Sequence, residues 1–125
     1  MHTATQPHRH AIVFVDHTEA RVLFPSSPVD DGGHVHAHRS TKSKDGHRQM
    51  MDRRDLDAIA GKLKGIDEIL IAGPSSAKAE LHHFLQEHHA DIATHVVEVV
   101  ALDHLSIGEI KDFARTKFKH IDLWR

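Results

Sequence analysis

The chain has 125 residues, of which 39% are hydrophobic, enough for one domain around a modest core. Eighteen acidic against sixteen basic side chains leave a formal net charge of -2, which excludes a histone-like polycation, although 15 histidines make that charge conditional near about pH 6. With no cysteine, disulfides and thiolate metal sites are excluded, and any metal would rest on imidazole and carboxylate.

In chain order, the opening "MHTATQPHRH" lacks the apolar block of a secretory signal, and no later run approaches bilayer length. The expectation is a cytoplasmic protein without a membrane partner, residues 1 to 9 forming a flexible tail. "AIVFVD" at 11 to 16 is apolar and β-branched, as in a strand buried on both faces. Asp16, His17, Thr18 and Glu19 have turn chemistry, so "HTEARVLF" returns as the second arm of a hairpin. "PSSPVDDGG" stops regular structure and reads as an exposed turn.

"HVHAHR" alternates His34, His36 and His38 with Val35 and Ala37, which places three imidazoles on one face of a short edge strand. "STKSKDGHRQ" is polar without periodicity and reads as a mobile loop. From Asp52, Leu56, Ile59, Ala60 and Leu63 mark a helix that Gly65 can close. "DEILIAG" is a buried strand, and the helix after Gly73 and Pro74 turns Ala77, Leu81, Phe84 and Leu85 to one side. "THVVEVVAL" is the last strand. Ser106 and Glu109 have capping-box spacing ahead of a helix carrying Ile107, Ile110, Ala114 and Phe118, with Phe113 a further core candidate. The order βββαβαβα joins an antiparallel meander to βαβ crossovers in one mixed, three-layer α/β sheet. "AGPSSAK" and "LDHLS" should then share the carboxyl edge of the parallel strands, the default place for a site.

"FVDHTEARVLF", "HVHAHRSTKS", "ILIAGPSSAKAEL" and "VVEVVALDH" resemble the small bacterial proteins called "translational machinery protein". These are relatives of the middle domain of archaeal and eukaryotic class-one release factors and of Pelota. The resemblance covers about residues 10 to 118, leaving 119 to 125 as a tail. It implies a ribonuclease H-like fold with five strands in the order 3-2-1-4-5, and a link to the ribosome. Release factors carry a Gly-Gly-Gln loop between the third strand and the first long helix. Here that interval holds Asp45-Gly46-His47-Arg48-Gln49, and Gly32-Gly33-His34 falls before the third strand. Peptidyl-tRNA hydrolysis is therefore not carried over, and the chain is expected to act without the flanking release-factor domains.

Around the polar loop, Arg39, Lys42, Lys44, Arg48, Arg53 and Arg54 cluster, with Asp45 and Asp52 the acids among them. Arg39, Lys42, Lys44, His47 and Arg48 are the candidates to contact RNA phosphate. Strand residues two apart are roughly 6.6 Å apart, so two of His34, His36 and His38 could chelate a divalent ion such as zinc. The third would need a bend, and a carboxylate would have to complete the set. That gives the rival reading, a metal-binding protein or metal-dependent hydrolase.

Ser75, Ser76 and Lys78 at a helix start form a candidate anion site, though without a P-loop, and the serines can simply cap. Asp16-His17 and Asp103-His104 suggest two-metal nuclease chemistry, but Asp16 falls in a turn and the fourth strand ends without an acid. His82, His83, His88 and His89 fall on the second helix, mostly at its surface. Leu123 and Trp124 are apolar in the tail and leave room for docking on the body or in a homodimer. The preferred reading is a non-catalytic protein associated with the ribosome or RNA.

Overall fold

The computed structural model describes residues 9 to 27, 33 to 36 and 51 to 123. Its elements are β1 (His10–Val15), β2 (Glu19–Leu23), β3 (His34–His36), α1 (Arg53–Leu63), β4 (Glu68–Gly73), α2 (Ala77–His88), α3 (Ala90–Ala93), β5 (Val96–Ala101) and α4 (Ile107–Leu123). The five strands form one sheet in the order β3-β2-β1-β4-β5. β1 pairs antiparallel with β2 and parallel with β4, and β5 adds parallel beyond β4. The architecture is the mixed one expected from the alternation of elements, with one short helix added. That helix, α3, follows a break at His89, where φ is -142° and ψ 59°, and it seats Ile92 in the core.

Period-two alternation assigns the sheet residues to two cores. Ala11, Val13, Val15, Ala20, Val22, Ile69 and Ile71 face α1 and α2, where Ile59, Leu63, Leu81 and Leu85 meet them. Ile12, Phe14, Leu23, Leu70 and Ala72 face α4, which supplies Ile110, Ala114 and Phe118. All six residues of β4 are buried, consistent with its central place and continuous apolar run. Each such Leu or Ile contributes about 1.5–3 kcal/mol by leaving water.

Local chemistry sets the boundaries. Asp16 carboxylate oxygen accepts from the Thr18 and Glu19 amides at 2.8 and 2.9 Å and from the Thr18 hydroxyl at 2.8 Å, closing the β1–β2 hairpin. Gly65 adopts φ 82° just after α1, the left-handed exit that glycine favours. At Gly73 a Cβ would stand 2.1 Å from the Val15 carbonyl oxygen, so β4 approaches the end of β1 as only glycine permits. Ser106 and Glu109 form the capping box, each amide bonded to the other's side chain at 2.9 and 3.1 Å. Hydrogen bonding from the Ser106 amide first, and from its side chain second, holds the Glu109 carboxyl below its usual range.

Two stretches differ from the sequence reading. Pro25, placed there in an exposed turn, is buried, and its carbonyl accepts from Arg115 of α4. Lys111, buried at 5% exposure, donates to the Ser27 carbonyl at 2.9 Å. α4 thus packs its long cationic side chains against the exit from β2. Residues 119 to 123, assigned to a tail, continue α4, because Ile121 follows Phe118 on the same apolar face.

Candidate functional site

The α4 face of the sheet changes character at its β2–β3 end. β3 pairs antiparallel with β2, Glu19 opposite His36 and Arg21 opposite His34. Since Ala20, Val22 and Val35 turn to the opposite core, these four side chains point to the α4 side. There His34 and His36 are exposed while Val35 is half-buried. The His34 imidazole lies 2.6 Å from Glu19 Oε1, and the two histidine rings lean together with centroids 4.2 Å apart. Glu19, His34 and His36 each offer a ligand atom within 4.8 Å of the others.

This arrangement supplies the carboxylate that the histidine pattern lacked. Glu19 was read from sequence as a turn residue, and the signal that could have found it is cross-strand pairing. His38, the third proposed ligand, lies outside the described residues, as do Arg39, Lys42, Lys44, His47 and Arg48. The described chain runs to His36 at the end of edge strand β3 and resumes at Met51, ahead of α1 and the exposed Arg53 and Arg54.

At the carboxyl edge of the parallel strands, Asp16, His17, Ser76, Glu80 and His104 converge. Ser75 Oγ accepts from the Ala77 amide at 3.3 Å, and Lys78 Nζ folds back onto the Ser75 carbonyl at 2.7 Å. Ser76 directs its hydroxyl to Glu80 Oε2 at 3.2 Å instead of capping the helix. An anion at Ser75, Ser76 and Lys78 would therefore meet an acid in the first turn and an ammonium already engaged.

His17 Nε2 reaches both Ser76 Oγ at 3.5 Å and Glu80 Oε2 at 3.6 Å. One nitrogen serves both contacts, so the group is not a serine–histidine–carboxylate relay, which uses both ring nitrogens. His104 pairs with Asp16 at 3.5 Å and sets its ring edge-on to Phe14. Burial pushes the Asp16 carboxyl up, but hydrogen bonds from Thr18 and Glu19, with His104 nearby, outweigh it and hold the pKa below the usual value. Asp16 is thus engaged by its hairpin. Among the described residues, neither Asp16 nor Asp103 belongs to a group of three ligand atoms within 4.8 Å.

The second-helix histidines are distributed as their angular positions require. His83 and His88 are exposed, while the half-buried His82 and His89 flank the apolar stripe. His89, the residue that ends α2, bonds Asp57 of α1 at 3.0 Å. Leu123 is 77% exposed, and Trp124 lies outside the described residues. No described helix is long and apolar enough to cross a membrane.

Against known proteins, neither a protein family nor a curated protein matches this sequence. Among solved structures, the chain is similar to Pelota from Archaeoglobus fulgidus, a protein whose crystal structure reveals inter-domain plasticity. The match has a TM-score of 0.55 at 17% sequence identity, and it covers 90% of this chain and 37% of the Pelota chain. This chain therefore spans little more than a third of that protein, and the likeness is one of fold: a mixed five-stranded α/β domain of the Pelota kind.

Proposed function

We propose that this chain is a non-catalytic, ribosome- or RNA-associated protein of the translational machinery type, with a His- and Lys/Arg-rich segment where release factors carry their catalytic loop. The observation that supports the reading is the Pelota-like fold across 90% of the chain. Arg39, Lys42, Lys44, His47 and Arg48 contact phosphate through charge, and Arg53 and Arg54 at the start of α1 extend the positive field. Without Gly-Gly-Gln, the segment binds and does not hydrolyse peptidyl-tRNA. A ribosome or RNA partner goes with the cytoplasmic setting proposed for the chain. Filter binding of wild type and a K42A/K44A/R48A variant to ribosomal RNA, across a salt titration with chelator present, tests this. Binding that weakens steeply with salt and drops in the variant is expected; salt-insensitive binding, or equal binding by the variant, contradicts it.

A second reading has its own observation, the approach of Glu19 to His34 and His36. In it the edge strand holds a divalent ion such as zinc through two imidazoles and a carboxylate. Chelator-stripped protein would then bind a zinc equivalent at the edge strand that His36→Ala removes from the total. An unchanged stoichiometry in His36→Ala removes this reading. The exposed Leu123 next to Trp124 suits a homodimer contact, which sedimentation velocity of the full chain would reveal as a concentration-dependent mass.

A further inference from the structure

A second group of metal-type ligands lies at the opposite end of β1, and neither the sequence pattern nor the proposed function uses it. His10 opens β1, Glu68 opens β4 beside it, and Asp122 sits in the last turn of α4. Their ligand atoms lie within 4.8 Å of one another. His10 Nε2 is 2.8 Å from Glu68 Oε1 and 3.2 Å from Asp122 Oδ2. We propose that His10, Glu68 and Asp122 form a binding site for a divalent transition-metal ion, zinc or manganese in type, that clamps the end of α4 to the sheet.

The geometry is that of a coordination shell's edge. Ligands about 2.1 Å from one ion stand about 3 Å apart at right angles and about 3.4 Å apart at the tetrahedral angle. The 3.2 Å contact of Nε2 with Asp122 falls within this range, and the 2.8 Å contact with Glu68 lies just below it. A hydrogen-bonded alternative is poorer, because one imidazole N–H faces two carboxylates and can point at only one. Two carboxylates whose oxygens lie within 4.8 Å of one another favour a shared proton or a cation between them. Burial pushes Asp122 up, yet contact with Glu68 and His10, and the more distant Arg9, hold it below the usual carboxylate range.

Two further observations point to a ligand-binding role for these residues. Asp122 Oδ1 is buried and has no hydrogen-bond partner among the described residues. Such an atom is unfavourable to leave without a partner. Beside it, a cavity of about 170 Å³ is lined by His10, Asp122, Pro25, Ser26, Arg115 and Lys119, with Phe118 at its wall. That opening gives an ion a route in and room for a water to complete its shell. The ligands are held in place: the His10 ring stacks on Phe118 at 4.2 Å, and Glu68 is 4% exposed between β1 and the sheet's end. One imidazole with two carboxylates suits zinc or manganese, whereas magnesium prefers oxygen and retained water.

The test is calorimetric titration of Zn²⁺ and Mn²⁺ into chelator-stripped full-length H34A/H36A protein, which silences the exposed edge-strand histidines. The same titration follows with Asp122→Asn and with His10→Gln added. One equivalent of metal is expected to bind, weakened about a hundredfold or more by either added substitution, with far-UV circular dichroism unchanged in Asp122→Asn. Crystals soaked in Mn²⁺ should then show an anomalous peak within about 2.4 Å of His10 Nε2. No binding by the H34A/H36A protein, or binding that Asp122→Asn leaves intact, overturns the proposal.

Discussion

The two faces of the sheet are built from alternating residues of the same strands, yet they end differently. On one, α1 and α2 cover β1, β2, β3 and β4, and even the small Ala20 and Val22 of β2 are 1% exposed. On the other, α4 covers the centre, and the β2–β3 end carries the exposed His34 and His36 beside the half-buried Glu19 and Arg21. The first face does the work of stability. The second combines a stable centre with a polar margin that leads into the basic segment, so substitutions at its margin should change binding while sparing the fold.

The largest effect that sharpens this contrast is at the covered face. Leu81→Ala, at a fully buried position, should cost about 2–5 kcal/mol in urea unfolding through lost burial and a residual cavity. A cost under about 1 kcal/mol would mean that α2 packs loosely on the sheet. The next is at the hairpin joining the two strands that both faces share. Asp16→Ala should lower stability by about 1 kcal/mol near neutral pH, as loss of a capping acid does. Because the folded carboxyl lies below its ordinary value of 3.8, that contribution is full above about pH 4 and fades as pH falls through the folded value. Denaturation of both proteins at several pH values should show the gap narrowing in acid; a widening gap would contradict the assigned hydrogen bonds. The smallest is at the margin. His36→Ala should change stability by no more than about 0.5 kcal/mol, and a larger loss would make the edge histidines structural.

Much of this organisation is readable from periodicity. The run from Glu68 to Gly73 could only be a buried strand, and Ala77, Leu81, Phe84 and Leu85 lie inward as their spacing demands. The capping box at Ser106 and Glu109 forms as written. What sequence conveys poorly is register between elements that an irregular connection joins. Glu19 meets His36 because of how β3 slides along β2, which the proline- and glycine-rich link does not specify. Asp122 shows the same limit at longer range. Its partners His10 and Glu68 begin two strands far away in sequence, and only the length of α4 brings them together. Lys111 and Arg115 look like solvent-facing cations until the backbone carbonyls after β2 are placed beside them.

The association proposed above, with the ribosome or RNA, runs through the basic segment that follows β3 in sequence. The most direct measurement is ribosome co-sedimentation of wild type and K42A/K44A/R48A protein from about 50 to 200 mM salt, with chelator present. The account predicts co-sedimentation at low salt that falls steeply as salt rises, with a slope of log affinity against log salt shallower by about 2–3 in the variant. Absence of wild-type co-sedimentation at low salt, or identical curves for the two proteins, would contradict it.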